Sequence, residues 1–182
     1  GLGGGSSNAA TTLMALNQLW RLHLPQSELL NLGAQLGADV PVFIFGHAAW
    51  GEGVGDVLTP MILPQPWYLL IDPKIKISTT ELFQDAKLKR NQSQIAKHVF
   101  DFNTGSNDFE PIVLQHYPPI AKIFDWLAPF SRPRLTGTGS IVYAAFDTRR
   151  EASTIASLAP KFCHAIVARG LNSSPLLRAL AS

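Results

Sequence analysis

Gly1-Leu2-Gly3-Gly4-Gly5-Ser6-Ser7, running on into Asn8-Ala9-Ala10-Thr11-Thr12, is the stretch from which the rest of the chain is read. Glycines let a backbone turn with positive φ and approach a ligand closely. Successive N–H groups can then point at phosphate oxygens, and a following helix N-terminus adds partial positive charge. Ser6 and Ser7 can supply hydroxyls to phosphate or to a magnesium ion. A flexible Gly-Ser linker is the plain alternative, but Asn8 to Arg21 continues directly into an amphipathic pattern. Apolar residues fall there at Ala9, Leu13, Leu16, Leu19 and Trp20, which predicts a helix, with Ser6, Ser7 or Asn8 as its cap.

Three common phosphate-binding motifs are excluded. No Gly-Lys-Ser/Thr follows the loop, so it is not a Walker A sequence. A dinucleotide fold needs a preceding strand and an acid about 20 residues on, and no acid occurs before Glu28. The His-Arg-Asp and Asp-Phe-Gly motifs of protein kinases are absent. A glycine turn is also a connection, so an N-terminal portion before residue 1 is expected.

Downstream, Ser27–Leu36 reads as a second helix stopped by Gly37. Asp39-Val40-Pro41 reads as a helix start with Asp39 as N-cap and Phe43, Ile44 and Phe45 as its buried part. His47–Pro60 reads as a hairpin bending near Gly51, Gly53 and Gly55. Pro60-Met-Ile-Leu-Pro64-Gln-Pro66 is the best domain boundary, dividing the chain into 1–62 and 63–182. Beyond it, strands are expected at Trp67–Asp72, Ile141–Phe146 and His164–Ala168. Helices are expected at Thr79–Leu88, 111–117, 119–127, Arg149–Leu158 and after Pro175. The polar stretch 91–106 reads as loop. The alternation implies an α+β fold with helices on one face of a sheet.

Composition narrows the function. With 46% hydrophobic and 15% charged residues among 182, the chain is globular. A net charge of +2 with scattered Lys and Arg is too little for a nucleic-acid surface, so no nucleic-acid partner is expected. No apolar run approaches the roughly 20 residues that span a bilayer, which argues against membrane insertion. The single cysteine, Cys163, excludes an internal disulfide and suits a reducing cytoplasm. Cys163 reads as a buried small hydrophobe, and Trp20, Trp50, Trp67 and Trp126 read as core or half-buried packing. The five histidines show no metal-ligand spacing, so no metal is expected on protein side chains, and His47 reads as architecture. Nothing in the sequence assigns an oligomeric state.

The glycine loop, Leu36-Gly-Ala-Asp39-Val-Pro41-Val-Phe, Gly46-His-Ala-Ala and Arg134-Leu-Thr-Gly137-Thr-Gly139-Ser140 together resemble the GHMP kinases, in the family's order. The resemblance extends to Asn172-Ser-Ser-Pro175-Leu-Leu. It is nearest the branch acting on 4-diphosphocytidyl-2-C-methyl-D-erythritol in non-mevalonate isoprenoid synthesis. It implies a two-domain fold, a truncated S5-like N-terminal ATP-binding domain followed by a ferredoxin-like C-terminal domain. It implies ATP as co-substrate with Mg²⁺ and phosphorylation of the acceptor's 2-hydroxyl, the partner being that cytidine diphosphate sugar-alcohol. Homoserine- or mevalonate-type acceptors, or an inactive fragment, are the alternatives. The family's first motif, with a catalytic lysine, has no counterpart here, so the isolated chain is expected to be inactive.

Residue by residue, the resemblance places ATP on Gly1, Leu2, Gly3, Gly4, Gly5, Ser6 and Ser7, with Ser7 able to reach a phosphate-borne magnesium ion. It makes Asp39 the catalytic carboxylate, beside its plain role as a cap. It sets Phe83 against the cytosine ring, the alternative being a core phenylalanine spaced with Leu82 and Ala86. Thr79 either faces substrate or caps its helix. Gly137, Thr138 and Gly139 form a second glycine loop that either touches ligand or simply turns into the strand after it.

Overall fold

The computed structural model describes residues 1–55, 57–89 and 105–181. In chain order its elements are α1 (Gly4–Leu19), α2 (Gln26–Leu36), α3 (Val40–Phe45), β1 (Ala49–Glu52), β2 (Val57–Pro60), β3 (Trp67–Asp72), α4 (Thr79–Gln84), α5 (Glu110–His116), α6 (Pro118–Leu127), β4 (Arg134–Leu135), β5 (Val142–Phe146), α7 (Arg149–Ala156), β6 (His164–Arg169) and α8 (Pro175–Ala181). They form two compact units, Gly3–Gln65 with Leu171–Ser182, and Gly1–Leu2 with Pro66–Gly170. The boundary expected after residue 62 falls in the same Pro-rich stretch as this division. The tail from Leu171, expected with residues 63–182, clusters with the other unit.

In the first unit, α1, α2 and α3 enclose a core of Ala10, Met14, Leu29, Val40 and Ile44. Gly33 makes that packing possible, because a Cβ there would lie 2.5 Å from Ile44 Cδ1 and 3.1 Å from Val40 Cγ1. β1 and β2 pair antiparallel, with Trp50 opposite Thr59. The tail is stitched back by Asn172, whose Nδ2 donates to Leu63 O at 2.8 Å and whose Oδ1 accepts from Leu63 N at 2.9 Å. Ala48 N donates to Asn172 O, Ser174 N donates to Gly46 O, and His47 bridges Ser173. The backbone of His47 thus helps hold the tail in place.

The second unit has the order β3-α4-α5-α6-β4-β5-α7-β6, in which every pair of neighbouring strands is antiparallel and the spatial order is β4-β5-β3-β6. That is the β-α-β-β-α-β ferredoxin-like arrangement. Alternation along the strands sends Leu69, Ile71, Val142 and Ala144 into one core with Ile112, Val113, Ile120, Ile123 and Leu127. α7 begins at a capping box in which Thr148 and Glu151 satisfy each other's backbone N–H.

Several expectations are corrected. α1 starts at Gly4 and not Asn8; its N-cap is Gly3 at φ 63°, with no side-chain cap bond. Its last residue Leu19 and the C-cap Trp20 are 73% and 62% exposed, so Trp20 is not core. α4 stops at Gln84, because Asp85 leaves the helix and its Oδ1 takes the Lys87 N–H at 2.8 Å. α7 ends at Ala156 and β5 begins at Val142. β4 is two residues long and was not anticipated. Cys163 is half-buried beside the core. The loop expected over 91–106 lies, up to residue 104, outside the described residues.

Candidate active site

The residues singled out by sequence are held by two different units, and the geometry of each unit stands by itself. In the first unit, Gly3 adopts the left-handed region and presses against the ring of Phe43, which a Cβ would meet at 2.9 Å. The chain turns there directly into α1. Gly4 and Gly5 face open space, with nothing within 4 Å of where a Cβ would stand. Their amides, with that of Ser6, lie in the first turn of α1, the part of a helix whose N–H groups lack intrahelical partners. Ser7 N already donates to Gly3 O. Ser7 also borders a cavity of about 350 Å³ closed by Phe43, His47 and Ser173.

Asp39 sits at the N-cap position of α3, and its carboxylate makes no capping hydrogen bond. The side chain is exposed. The turn Gly37–Val40 is closed by the backbone instead, Val40 N donating to Gly37 O at 3.1 Å. Pro41 in the first turn removes one N–H that a cap would otherwise serve. The carboxylate therefore presents its oxygens to solvent. The hairpin bend lies beside it in the same unit, a Cβ on Gly55 coming within 3.7 Å of Ala38 O.

In the second unit the stretch Leu135–Ser140 forms a loop turned by Gly137 (φ 47°) and Gly139 (φ 86°). It closes on itself through Gly139 N donating to Thr136 O at 2.7 Å and Thr136 N donating to Ile141 O at 3.0 Å. Gly1 lies flush against this loop: a Cβ on Gly1 would overlap Thr136 Oγ1 and stand 2.7 Å from Gly139 O. Gly1 thus packs with the second glycine loop inside this unit. Thr136 was not singled out, yet its Oγ1 is buried without a hydrogen-bond partner. Such an orphan is uncommon and marks a place where a polar group is wanted.

Thr79 lies in the same neighbourhood, its Oγ1 3.3 Å from Thr138 Oγ1. The cap of α4 is Ser78, whose Oγ accepts from Glu81 N, so Thr79 does not cap its helix. Phe83 is 56% exposed, while its neighbour Leu82 is the residue that α4 buries. The Phe83 ring meets Phe109 edge-to-face at 5.0 Å. Asn107 and Glu110, also absent from the sequence reading, hydrogen-bond the loop from outside. Nothing local in the sequence announces them, because their partners lie roughly a quarter of a hundred residues further along.

A larger cavity, about 580 Å³ and walled by Phe130, Phe146 and Arg150, holds none of the candidate residues. Its Glu151 carboxylate is engaged in the α7 cap, so volume is no guide to the chemistry here. Among the described residues no group of three or more His, Cys, Asp or Glu is placed to hold a metal ion. No helix of the described residues is long and apolar enough to cross a membrane.

Residues 1–47 match the family of the GHMP kinases N terminal domain. Over 180 residues the chain is 49% identical to a 4-diphosphocytidyl-2-C-methyl-D-erythritol kinase of Nitrosococcus oceani, covering 99% of this chain and 64% of that protein. It is 47% identical over 176 residues to the kinase of the same name from Tolumonas auensis, covering 97% and 62%. The chain therefore spans under two thirds of the length of these relatives. Among solved structures, a 4-(cytidine 5'-diphospho)-2C-methyl-D-erythritol kinase superposes with a TM-score of 0.79 at 23% identity, over 93% of this chain and 66% of that one. A homoserine kinase from Cytophaga hutchinsonii superposes with a TM-score of 0.51 at 16% identity, over 87% and 62%. The match of residues 1–47 to the GHMP kinases N terminal domain and the similarity along nearly the whole chain to these kinases point the same way.

Proposed function

We propose that the whole protein is a 4-diphosphocytidyl-2-C-methyl-D-erythritol kinase, transferring the γ-phosphoryl group of ATP to the 2-hydroxyl of that acceptor. The observation that carries this reading is identity of 45–49% along nearly all of this chain to relatives named for that activity. The site residues support it. Phosphoryl transfer asks mainly for positioning and charge stabilisation. The open first turn of α1, from Gly4 to Ser7, is suited to cradle phosphates, with Gly1, Leu2 and Gly3 leading the chain into it. A Cβ at Gly4 or Gly5 would stand in that open space.

Asp39 is the group placed to take the acceptor proton. Its oxygens are not tied up in a cap, so the carboxylate can orient the 2-hydroxyl and accept its proton as the oxygen attacks the γ-phosphorus and ADP departs. Phe83 offers an exposed ring for the cytosine, and Thr79 joined to Thr138 sets the helix of Phe83 beside the second glycine loop. Magnesium would be carried on the ATP phosphates, with the Ser7 hydroxyl as its protein contact, since the described residues offer no carboxylate or histidine cluster. The first unit takes the ATP-binding role, in line with the family match over 1–47. A cytoplasmic location fits the lone cysteine and the absence of a membrane-length apolar helix among the described residues.

The test is a substrate panel on the full-length protein with Mg-ATP, reading ADP release. The cytidine-bearing acceptor should be turned over, with homoserine and mevalonate poor or inert. Preference for an acceptor without cytidine would overturn the assignment. The 182-residue chain by itself should release no ADP above background.

A further inference from the structure

Leu135–Ser140 carries two left-handed glycines, so the ladder of β4 and β5 cannot hold its central part in place. Beyond the bonds the loop makes within itself and to Thr79, it is held by a four-residue turn elsewhere in the sequence, Asn107-Asp108-Phe109-Glu110. Asn107 Nδ2 donates to Gly137 O at 2.7 Å and to Leu135 O at 3.0 Å. Asn107 Oδ1 accepts from Phe109 N at 3.0 Å, which fixes the orientation of the amide. Glu110 Oε2 accepts from Leu135 N at 3.0 Å. Both backbone groups of Leu135 and the carbonyl of Gly137 are thus engaged by two side chains of one turn. The third side chain, Phe109, meets the Phe83 ring edge-to-face at 5.0 Å and 77°.

We propose that Asn107, Phe109 and Glu110 form one positioning bracket, which sets the second glycine loop with its polar members and the Phe83 ring with its aromatic one. The proposal rests on the reading that this loop and Phe83 flank the reacting substrate. It makes the two arms separable. Asn107→Asp keeps the acceptor for Phe109 N but turns a carboxylate oxygen on two carbonyls, so it releases the loop. Phe109→Leu leaves those bonds in place and frees the ring.

Hydrogen exchange of the full-length protein reads the loop directly, and steady-state kinetics read its consequence. Asn107→Asp should speed amide exchange in 134–141 at least tenfold and lower kcat about tenfold, with KM for the cytidine acceptor within about twofold. Phe109→Leu should leave that exchange unchanged and raise the acceptor KM about fivefold, with kcat within about twofold. If Asn107→Asp does not fold, Glu110→Ala, which removes only the acceptor for Leu135 N, should show the same exchange change more weakly. Unchanged exchange in the foldable polar variants would overturn the bracket. Faster exchange with wild-type kinetics would overturn its positioning role. A wild-type protein inert toward every cytidine-bearing acceptor would sink the proposed function, while the exchange comparison would still decide the bracket.

Discussion

Thr79 Oγ1 and Thr138 Oγ1 lie 3.3 Å apart, joining the first turn of α4 to the middle of the second glycine loop across 59 positions of sequence. The pair is exposed, so water competes for both hydroxyls and the bond contributes little to stability, about 0.5 kcal/mol. Its value is geometric. Thr79→Val and Thr138→Val should each lower melting stability by less than about 1 kcal/mol, and the double variant should cost no more than about the larger single change plus the smaller one less that coupling. Each should weaken the cytidine acceptor's KM a few-fold. Urea unfolding and steady-state kinetics on the four proteins check both statements.

Asp39 separates capping from chemistry. A side chain that caps a helix costs about 1 kcal/mol when cut to alanine, but the Asp39 carboxylate makes no such bond. Asp39→Ala should therefore change unfolding free energy by less than about 0.5 kcal/mol. Turnover should fall by about 10²- to 10⁴-fold, the range for loss of a positioned base. Near-normal turnover, or a large stability loss with it, would contradict the role given to this carboxylate.

The glycines of the loop should respond with opposite signs. Gly5 lies within α1 and a Cβ there meets nothing within 4 Å. Gly5→Ala should stabilise the fold by about 0.5 kcal/mol through helix propensity, yet raise KM for ATP about tenfold by placing a methyl where phosphate is proposed to lie. Gly3 is left-handed at φ 63°, and a Cβ would stand 2.9 Å from the Phe43 ring. Gly3→Ala should destabilise by about 1 kcal/mol or more. Thermal melts and ATP titrations of the two variants decide it.

Cys163 should be a sluggish thiol. Burial raises its pKa, the Asp72 carboxylate adds to that, and the Lys74 ammonium pulls it partly back. The native thiol thus keeps its proton when the unfolded one has lost it. The stability this contributes is intact below the unfolded thiol's pKa and declines as pH rises through it. Iodoacetamide should modify native Cys163 more slowly than a free cysteine at pH 8, with a midpoint above the ordinary thiol range. Asp72→Asn keeps an oxygen for the Lys74 N–H, which Asp72 Oδ1 now accepts at 2.7 Å, and should move that midpoint down.

Much of this molecule is written in short-range pattern. Trp67–Asp72 announces β3 as a short, strongly apolar run, and the apolar runs of β5 and β6 do the same. Pro41 marks the first turn of α3 because its fixed φ and missing N–H are properties of that single residue. The motifs around Gly3, Asp39 and Gly137 follow from residue types in order, which is why the resemblance to the GHMP kinases was legible before any coordinates.

Other features belong to the folded chain alone. α1 begins at Gly4 because Gly3 packs on Phe43, a contact between residues 40 positions apart that no helix propensity encodes. The tail from Leu171 joins the first unit because Asn172 finds the backbone of Leu63 across 109 positions. The orphan hydroxyl of Thr136, the Thr79–Thr138 contact and the Asn107–Glu110 bracket arise when distant segments are brought within hydrogen-bond reach. Residue types and their local spacing decided which elements exist and which proteins the chain resembles. Which side chains hold the loop was left to tertiary packing, because a hydrogen bond at 3 Å depends on where the chain returns and not on what stands next in sequence.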